Sequence, residues 1–168
     1  YNQAAYVADT LNSIKAQTYP KIQLIVADDG SKDGSKEVIK KWIAANDPAA
    51  IFVDHEKNLG LTKNINSALP YIKGDYFQVF GCDDIMHPDK IEKQVVLLQA
   101  SKAAGVVYSD MQMMDKEAKP LPYTYFQKHI SFFHPNTEEQ IKAKYQEIDS
   151  FFHSCPTQDI FLPNALIL

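Results

Sequence analysis

Apolar residues recur along the first two thirds of the chain in two alternating patterns. Short apolar runs of strand length are followed by segments with an apolar residue at every third or fourth position, the spacing of a helix that buries one face. The runs predict strands at 22–27, 50–54, 75–80, 105–109 and 111–114. The helical spacing predicts helices around 4–17, 38–43, 65–72 and 91–98. Strands that alternate with helices at crossovers of roughly 20 residues predict an α/β fold, with a mainly parallel sheet and helices on both faces.

The pattern changes after residue 119. Pro120 and Pro122 introduce a segment rich in aromatic residues, and a helix is predicted at 137–148, where Thr137 opens a capping sequence. A last apolar run, 161–168, predicts a strand. We therefore divide the chain into a first part, residues 1–119, and a second part, residues 120–168.

Charge and composition exclude several classes of protein. The net charge of −4 argues against a nucleic-acid partner, which a basic face would attract. No apolar run approaches the length of about 18 residues that a membrane span needs. The two cysteines, Cys82 and Cys155, have no metal-binding or disulfide spacing and favour a reducing compartment. All 17 basic residues are lysines, so any phosphate must be neutralised by lysine, backbone N–H groups or a metal rather than by arginine.

Two pairs of adjacent carboxylates, Asp28-Asp29 and Asp83-Asp84, each come directly after a predicted strand. The carboxyl ends of parallel strands form the edge at which open α/β sheets bind ligands. Carboxylate oxygens at that edge suit Mg²⁺ or Mn²⁺, and such a metal usually holds a diphosphate. A carboxylate there can also accept a hydrogen bond from a nucleobase N–H or a ribose hydroxyl. The two pairs thus predict a site for a metal and a nucleotide.

Simpler structural roles could also explain the two acidic pairs and Lys63. The segment from Asp28 to Gly30 has the composition of a turn. The pair Asp83-Asp84 has that of a helix N-cap, although one cap uses one carboxylate and two in succession repel unless a cation lies between them. Lys63, one turn inside a predicted helix, could reach back to a phosphate or a base, or simply be solvated. From the residues alone these alternatives stay open.

Four stretches, taken in order, resemble the inverting family-2 glycosyltransferases of the GT-A fold. They are YNQAAYVADTLNSIKAQTYPKIQLIVADDGSKDGS, NLGLTKNINSAL, GDYFQVFGCDDIMHPDKIEKQ and GVVYSDMQMMDKEAK. The resemblance covers residues 1–119 without a break, and 163–168 look like the family's strand before its catalytic carboxylate. It implies that 1–119 is the nucleotide-sugar-binding part of one GT-A domain and that 120–168 begins the acceptor side of the same domain.

The resemblance also assigns roles at the site. It implies a donor in which a sugar is linked to a nucleoside diphosphate, UDP by family preference, bound with Mn²⁺ or Mg²⁺. Asp83 matches the last acid of the family's DxD motif and is the expected metal ligand, and Asp84 is its neighbour on the nucleotide.

Three further positions of the nucleotide site follow from the same likeness. Tyr1 stands where the family places a residue against the nucleobase. Asp29, with Asp28 beside it, matches the carboxylates that read base and ribose. Lys63 occupies a position near base or phosphate where many relatives carry arginine.

Three departures from the family pattern matter. Gly81 replaces the first acid of DxD, so one contact to ribose or metal is missing. The family's opening strand, which precedes the Tyr1-Asn2 pair and lies inside the sheet, has no counterpart, so we expect this chain to be part of a longer protein. The catalytic base, an Asp or Glu, is expected beyond Leu168, and no residue of this chain is assigned that role.

The predicted activity is metal-assisted transfer of a sugar to an acceptor hydroxyl, with inversion, on a saccharide, a lipid-linked molecule or a protein. We expect a cytoplasmic location, with association at the inner membrane face through regions outside this chain. Two alternatives remain at this point: a non-catalytic GT-A-like domain that binds nucleotide, which Gly81 keeps open, and a nucleotidyltransferase. An acidic pair soon after Leu168 would favour the enzyme over the binding domain.

Overall fold

The structure is a computed structural model that describes residues 1–100, 105–115 and 117–125 and the backbone of 166–167. The chain forms two compact units. The first comprises residues 1–108 together with the strand at 166–167, and the second begins at Ser109. The predicted helix at 137–148 and most of the predicted strand at 161–168 lie outside the described residues.

Four helices and seven strands are described. The helices are α1 (Val7–Lys15), α2 (Ser35–Asn46), α3 (Leu61–Ala68) and α4 (Lys90–Ala100), and a 3₁₀ turn, Leu69–Tyr71, extends α3. The strands are β1 (Ile25–Asp28), β2 (Ile51–Asp54), β3 (Phe77–Gln78), β4 (Val106–Val107), β5 (Gln112–Met114), β6 (Pro120–Thr124) and β7 (Leu166–Ile167).

The strands of the first unit form two separate ladders. Strands β1 and β2 pair in parallel, in a register that sets Asp28 opposite Asp54. Strand β7 lies between β3 and β4 and runs antiparallel to both, so β3 and β4 share one direction. In the second unit, β5 and β6 form an antiparallel pair. The parallel pair β1–β2 places the acidic ends of both strands at the same edge.

The core of the first unit lies between α1, α2 and the β1–β2 ladder. Val7 and Leu11, four residues apart on α1, meet Ile39 and Trp42 of α2, and all four side chains are buried. Spacing of four residues puts both members of a pair on one helix face, and burial of that face supplies most of the stability of such a helix. A hydrogen bond from Trp42 Nε1 to Asn12 Oδ1 (2.7 Å) also connects the two helices.

A second apolar cluster supports α4. Val95 and Leu98 are buried, and partly buried aromatic and aliphatic residues pack against them: Tyr19, Tyr76, Ile91 and Val107. The cluster joins α4 to β4, to the residue directly before β3 and to the segment that follows α1. It therefore fixes the strand that leads into the second acidic pair.

Two helices are shorter than the apolar spacing predicts. Helix α1 begins at Val7 rather than at Ala4, and the backbone N–H groups of Gln3 and Ala4 bond to side chains of a loop. Helix α3 ends at Ala68, and the chain passes into a 3₁₀ turn that contains Pro70, whose ring cannot continue an α-helix. Among the described helices, none is long and apolar enough to cross a membrane.

Candidate functional site

Two loops carry the predicted site residues, and each follows a strand of the first unit. The first acidic loop, residues 28–35, connects β1 to α2, and the second acidic loop, residues 81–86, follows β3. Both were singled out from the sequence because carboxylates follow an apolar strand. The structure shows how each carboxylate is held.

Asp28 closes a turn within the first acidic loop. Its side chain is 4% exposed. Ser31 donates to it twice, from its backbone N–H to Oδ2 (2.8 Å) and from its hydroxyl to Oδ1 (2.5 Å). The Lys36 ammonium lies 3.9 Å from Oδ2. The turn that the sequence offered as an alternative for this segment is present, and Asp28 is the residue that forms it.

Asp29 joins the first acidic loop to the start of α3. The buried carboxylate accepts the backbone N–H of Leu59 at 2.6 Å and that of Gly60 at 3.0 Å. Gly30 lies against the same stretch, since a Cβ built on it would be 2.4 Å from the carbonyl carbon of Lys57. Three residues after Gly60, on the first turn of α3, the Lys63 side chain is exposed to solvent.

The residues before α1 contact both acidic loops. The backbone N–H of Asn2 bonds to Ser31 of the first acidic loop (2.8 Å). The side chain of Gln3 reaches Asp83 of the second acidic loop, where its Nε2 donates to Oδ2 at 3.3 Å. Tyr1, the residue expected against a nucleobase, is 53% exposed at the start of this segment.

The carboxylates of Asp83 and Asp84 converge above Gly81. A Cβ built on Gly81 would lie 2.9 Å from an oxygen of Asp84 and 3.1 Å from one of Asp83. Asp83 is exposed, whereas Asp84 is half-buried. Burial, and then the neighbouring charge of Asp83, raise the pKa of Asp84 above its ordinary value of 3.8. Two carboxylates share one small space, and their mutual repulsion favours a cation between them.

Helix α1 fixes the backbone of the second acidic loop. The Thr10 hydroxyl donates to the carbonyl oxygen of Asp84 at 2.8 Å, and the Ser13 hydroxyl accepts the N–H of Met86 at 3.0 Å. Helix α4 begins at Lys90, six residues after Asp84, so neither carboxylate stands at its N-cap. The loop is therefore held by its backbone, and its carboxylates remain available for a ligand.

The second acidic loop has donor atoms that suit a hard divalent cation. Asp83 and Asp84 offer carboxylate oxygens, the ligands that Mg²⁺ and Mn²⁺ prefer. Within the described parts of the chain, no three His, Cys, Asp or Glu side chains come together as a metal cage. A protein that supplies one or two carboxylates and leaves other positions to phosphate oxygens and water is the usual Mg²⁺ arrangement. The residues fit a metal held jointly with a diphosphate.

Sequence reasoning missed the residues that tie the loops together. Gln3, Asp33 and Ser35 form hydrogen bonds across the site but were not predicted as site residues. Their sequence signal is only that of a turn and a helix start. The partners lie 29 to 80 positions away, and that pairing becomes visible only in three dimensions.

Solved structures share this fold. A mannosyltransferase from Pyrobaculum calidifontis, solved with GDP-Man and Mn²⁺, superposes with a TM-score of 0.62 at 24% identity, over 67% of this chain and 33% of that one. Staphylococcus aureus TarS 1–349, solved with UDP, gives a TM-score of 0.59 at 22% identity, over 73% and 36%. The chain therefore has the α/β architecture of the GT-A fold, which confirms the predicted fold class.

The family follows from the sequence comparison. The model of Glycosyl transferase family 2 matches residues 1–157, so this chain belongs to that family. An uncharacterised glycosyltransferase of Rickettsia typhi is 32% identical over 167 residues, which are 99% of this chain and 48% of that protein. Glycosyltransferase GlyA of Streptococcus pneumoniae is 35% identical over 112 residues, 65% and 16% of the two chains. The chain spans about a fifth to a half of the length of the Rickettsia relatives it matches.

Proposed function

We propose that this chain forms the donor-binding part of an inverting glycosyltransferase, which takes a nucleotide-diphospho-sugar and transfers the sugar to an acceptor hydroxyl. The observation that carries the proposal is the convergence of Asp83 and Asp84 above Gly81 in a domain of this family. Two strand-end carboxylates that share one space suit a cation, and a cation at that edge suits a diphosphate. UDP is the proposed nucleotide, on the family resemblance.

Each predicted residue has a part in binding the donor. We assign Asp83 to the metal, which when bound supplies positive charge to the leaving diphosphate. Asp84, which the resemblance puts on the nucleotide, lies close enough to Asp83 above Gly81 to serve as a second ligand. Lys63, exposed on the first turn of α3, supplies a mobile positive charge for the base or the phosphates. The metal and Lys63 together supply the positive charge that arginine commonly brings to phosphate, since the chain contains no arginine.

The nucleoside end of the donor falls to the first acidic loop and to Tyr1. Asp29 is buried and already accepts two backbone N–H groups, yet each of its oxygens keeps a second lone pair for a base or ribose group. Asp28 supports that arrangement from within the turn. Tyr1 is exposed directly before Asn2, which bonds to that loop, and offers its ring for stacking on a base.

The acceptor and the catalytic base belong to the part of the proposal that rests on the resemblance alone. An acceptor hydroxyl must lose its proton as it attacks the anomeric carbon, and a carboxylate beyond Leu168 is proposed as the base. The acceptor class is a saccharide, a lipid-linked molecule or a protein, and the proposed location is cytoplasmic with peripheral membrane association.

A non-catalytic domain that binds nucleotide is the second candidate, and Gly81 is the observation that favours it. With glycine in place of the first acid of DxD, the cation has one protein carboxylate fewer. The convergence of Asp84 on the space above Gly81 partly offsets that loss. Turnover of a sugar donor by the whole protein would separate the two candidates.

Thermal unfolding with and without nucleotide tests the donor site. UDP or GDP at about 100 times its Kd, with Mn²⁺, should stabilise the chain by about 2.7 kcal/mol, which raises Tm by several degrees. The shift should vanish with EDTA and in Asp83→Ala, because the diphosphate then lacks its cation. Asp75→Ala, which removes an exposed carboxylate ahead of β3, is the matched control and should keep the shift. A folded chain that shows no shift with any nucleotide would contradict the proposal.

A further inference from the structure

Three consecutive backbone N–H groups before α1 are all bound by side chains of the first acidic loop. The N–H of Asn2 donates to Ser31 Oγ (2.8 Å) and that of Gln3 donates to Ser35 Oγ (2.9 Å). The N–H of Ala4 donates to Asp33 Oδ2 at 2.9 Å. A loop whose side chains accept from three residues in a row holds that segment in one conformation.

The two serine hydroxyls are oriented so that they can accept. Ser31 Oγ donates its own proton to Asp28, and Ser35 Oγ donates to Asp33 Oδ1 at 2.5 Å. A hydroxyl has one proton and two lone pairs, so a carboxylate that takes the proton leaves the oxygen free to accept an N–H. Asp28 and Asp33 thereby set the direction of the hydrogen bonds that hold residues 2–4.

The held segment connects the two acidic loops. The side chain of Gln3 donates to Asp83, while its backbone N–H is fixed by Ser35. Asn2 is held twice, because its Oδ1 also accepts the backbone N–H of Lys32 at 2.9 Å. The segment is thus held by both acidic loops, through the N–H groups of residues 2–4 on one side and the Gln3 side chain on the other, and it places Tyr1, which directly precedes Asn2.

We propose that Ser31, Asp33 and Ser35 are positioning residues of the donor site, which hold residues 2–4 as a fixed bridge and so set the places of Tyr1 and of Asp83. The proposal rests on the proposed function, since it concerns the same site. None of the three touches the donor in this scheme. They act through the bridge, and Gln3 is the residue through which they reach the second acidic loop.

Asp33→Asn is the sharpest variant, because Asp33 uses both oxygens as acceptors. Oδ1 accepts the N–H and hydroxyl of Ser35, and Oδ2 accepts the N–H of Ala4. Asparagine keeps the shape but offers one acceptor, and its NH₂ would face a donor. Asp47→Asn is the matched control: Asp47 accepts one loop N–H, that of Ala49, in a turn after α2, and asparagine can still accept it.

Amide hydrogen exchange tests the bridge without any ligand. In Asp33→Asn the N–H groups of Gln3 and Ala4 should exchange at least about tenfold faster than in the wild type, while those of Ile39 and Trp42 in the core keep their rates. Asp47→Asn should leave all four unchanged. Unchanged exchange at Gln3 and Ala4 in Asp33→Asn would overturn the bridge.

Nucleotide affinity tests the positioning role. With UDP or GDP and Mn²⁺, calorimetry should show Asp33→Asn binding about tenfold more weakly and Asp47→Asn binding as the wild type does. Gln3→Met, which keeps the backbone bonds and loses only the Asp83 contact, should weaken binding severalfold and serves if Asp33→Asn does not fold. If the wild type binds nucleotide and both Asp33→Asn and Gln3→Met bind it with the same affinity, the positioning role is overturned but the proposed function is not. A wild-type chain that binds no nucleotide overturns the proposed function and this role with it.

Discussion

Gly30, in the first acidic loop, lies directly against the backbone of residues 57–58, which precede α3. Its φ of +76° lies in the left-handed region, and the backbone of Lys57 and Asn58 occupies the space where a side chain would begin. Gly34, in the same loop, has a φ of +93° but nothing within 4 Å of its missing Cβ. The two glycines therefore separate the cost of backbone conformation from the cost of lost space.

Gly30→Ala should destabilise the chain more than Gly34→Ala. For Gly34→Ala we expect a loss of about 1–2 kcal/mol in the free energy of unfolding, the penalty of left-handed backbone for an L-residue. Gly30→Ala adds a clash with backbone that cannot rotate away, so the loss should exceed about 3 kcal/mol. Urea denaturation of both variants measures the difference, and equal losses would show that residues 57–58 move aside freely.

At the scale of single residues, the sequence singled out the acidic residues as candidates but did not predict which groups they contact. Asp28, Asp29, Asp83 and Asp84 stood out because two acids follow a strand, and the structure places each pair in one loop. That Asp29 bonds the N–H groups before α3 was not predictable, because a carboxylate can accept from any donor. Whether these residues bind donor and metal stays a prediction.

Two lysines of helix α2 form ion pairs with carboxylates at the ends of strands β1 and β2. The β1–β2 register brings Asp28 and Asp54 side by side, and Lys36 of α2 pairs with both. Lys36 also donates to the carbonyl oxygen of His55 at 2.6 Å. Lys40, one turn further along α2, reaches only Asp54 among these groups and is 58% exposed.

Lys36→Met should destabilise the chain far more than Lys40→Met. Loss of Lys36 takes from the buried Asp28 the cation that lies 3.9 Å away and from the exposed Asp54 one of its two lysines, so the free energy of unfolding should fall clearly. Lys40→Met removes an exposed pair and should cost less than about 1 kcal/mol. Denaturation in urea at pH 7 gives both values. Equal effects would mean that water screens Lys36 as fully as Lys40.

The ion pair between Lys36 and Asp54 also determines how the free energy of unfolding changes at acid pH. The hydrogen bond from Lys36, and after it the one from Lys40, hold the pKa of Asp54 below its ordinary 3.8. A lowered pKa means that the stabilisation is present above about pH 4 and is lost as the pH falls through the folded value. The stability of Lys36→Met should therefore fall less steeply than that of the wild type below pH 4. A parallel fall in both proteins would contradict this assignment.

Among the elements, strands and helices of the first part were found where the apolar pattern predicts them, although the strands are shorter and helices α2 and α4 are longer than predicted. Strand β6 was not predicted, and Pro120 and Pro122 were interpreted only as the start of a segment rich in aromatic residues. Its register with β5 is irregular, and prolines are tolerated at such bulges and at sheet edges. Strand pairing could not be predicted either, since local periodicity does not specify which strand lies beside which.

For the molecule as a whole, one lysine, Lys90, makes the free energy of unfolding change with pH in the alkaline range. Lys90 opens α4, and burial lowers the pKa of its ammonium from 10.5 to about 8. Its Nζ donates to Gln94 Oε1 at 2.9 Å. Below pH 8 the folded and unfolded chains both carry the proton, whereas between pH 8 and 10.5 only the unfolded chain does.

The stability of the wild type relative to Lys90→Met should therefore rise with pH from 8 to 10. The sign follows because unfolding must take up a proton in that range, and the expected gain is on the order of 2 kcal/mol. Denaturation curves of both proteins at pH 7, 8, 9 and 10 supply the comparison. Lys93→Met, on the same helix, controls for the loss of one exposed positive charge, and a flat difference for Lys90→Met would contradict the prediction.

At the largest scale the α/β class could be predicted because alternation of strands and helices leaves few ways to pack them. The division of the described strands into two ladders in the first unit could not, because it depends on long-range pairing by β7. The boundary at 119 between two parts remains a prediction, and the compact units divide at Ser109 by contacts rather than by composition.

The bridge formed by residues 2–4 has a consequence for the order in which the chain is made. These residues leave the ribosome before their partners, because Ser31 and Ser35 follow about 30 positions later and Asp83 follows Gln3 by 80. At roughly 5–20 residues per second, Gln3 waits roughly 4–16 seconds for its last partner. A nascent chain that ends before Asp83 cannot join the two acidic loops, however well α1 and α2 have already packed.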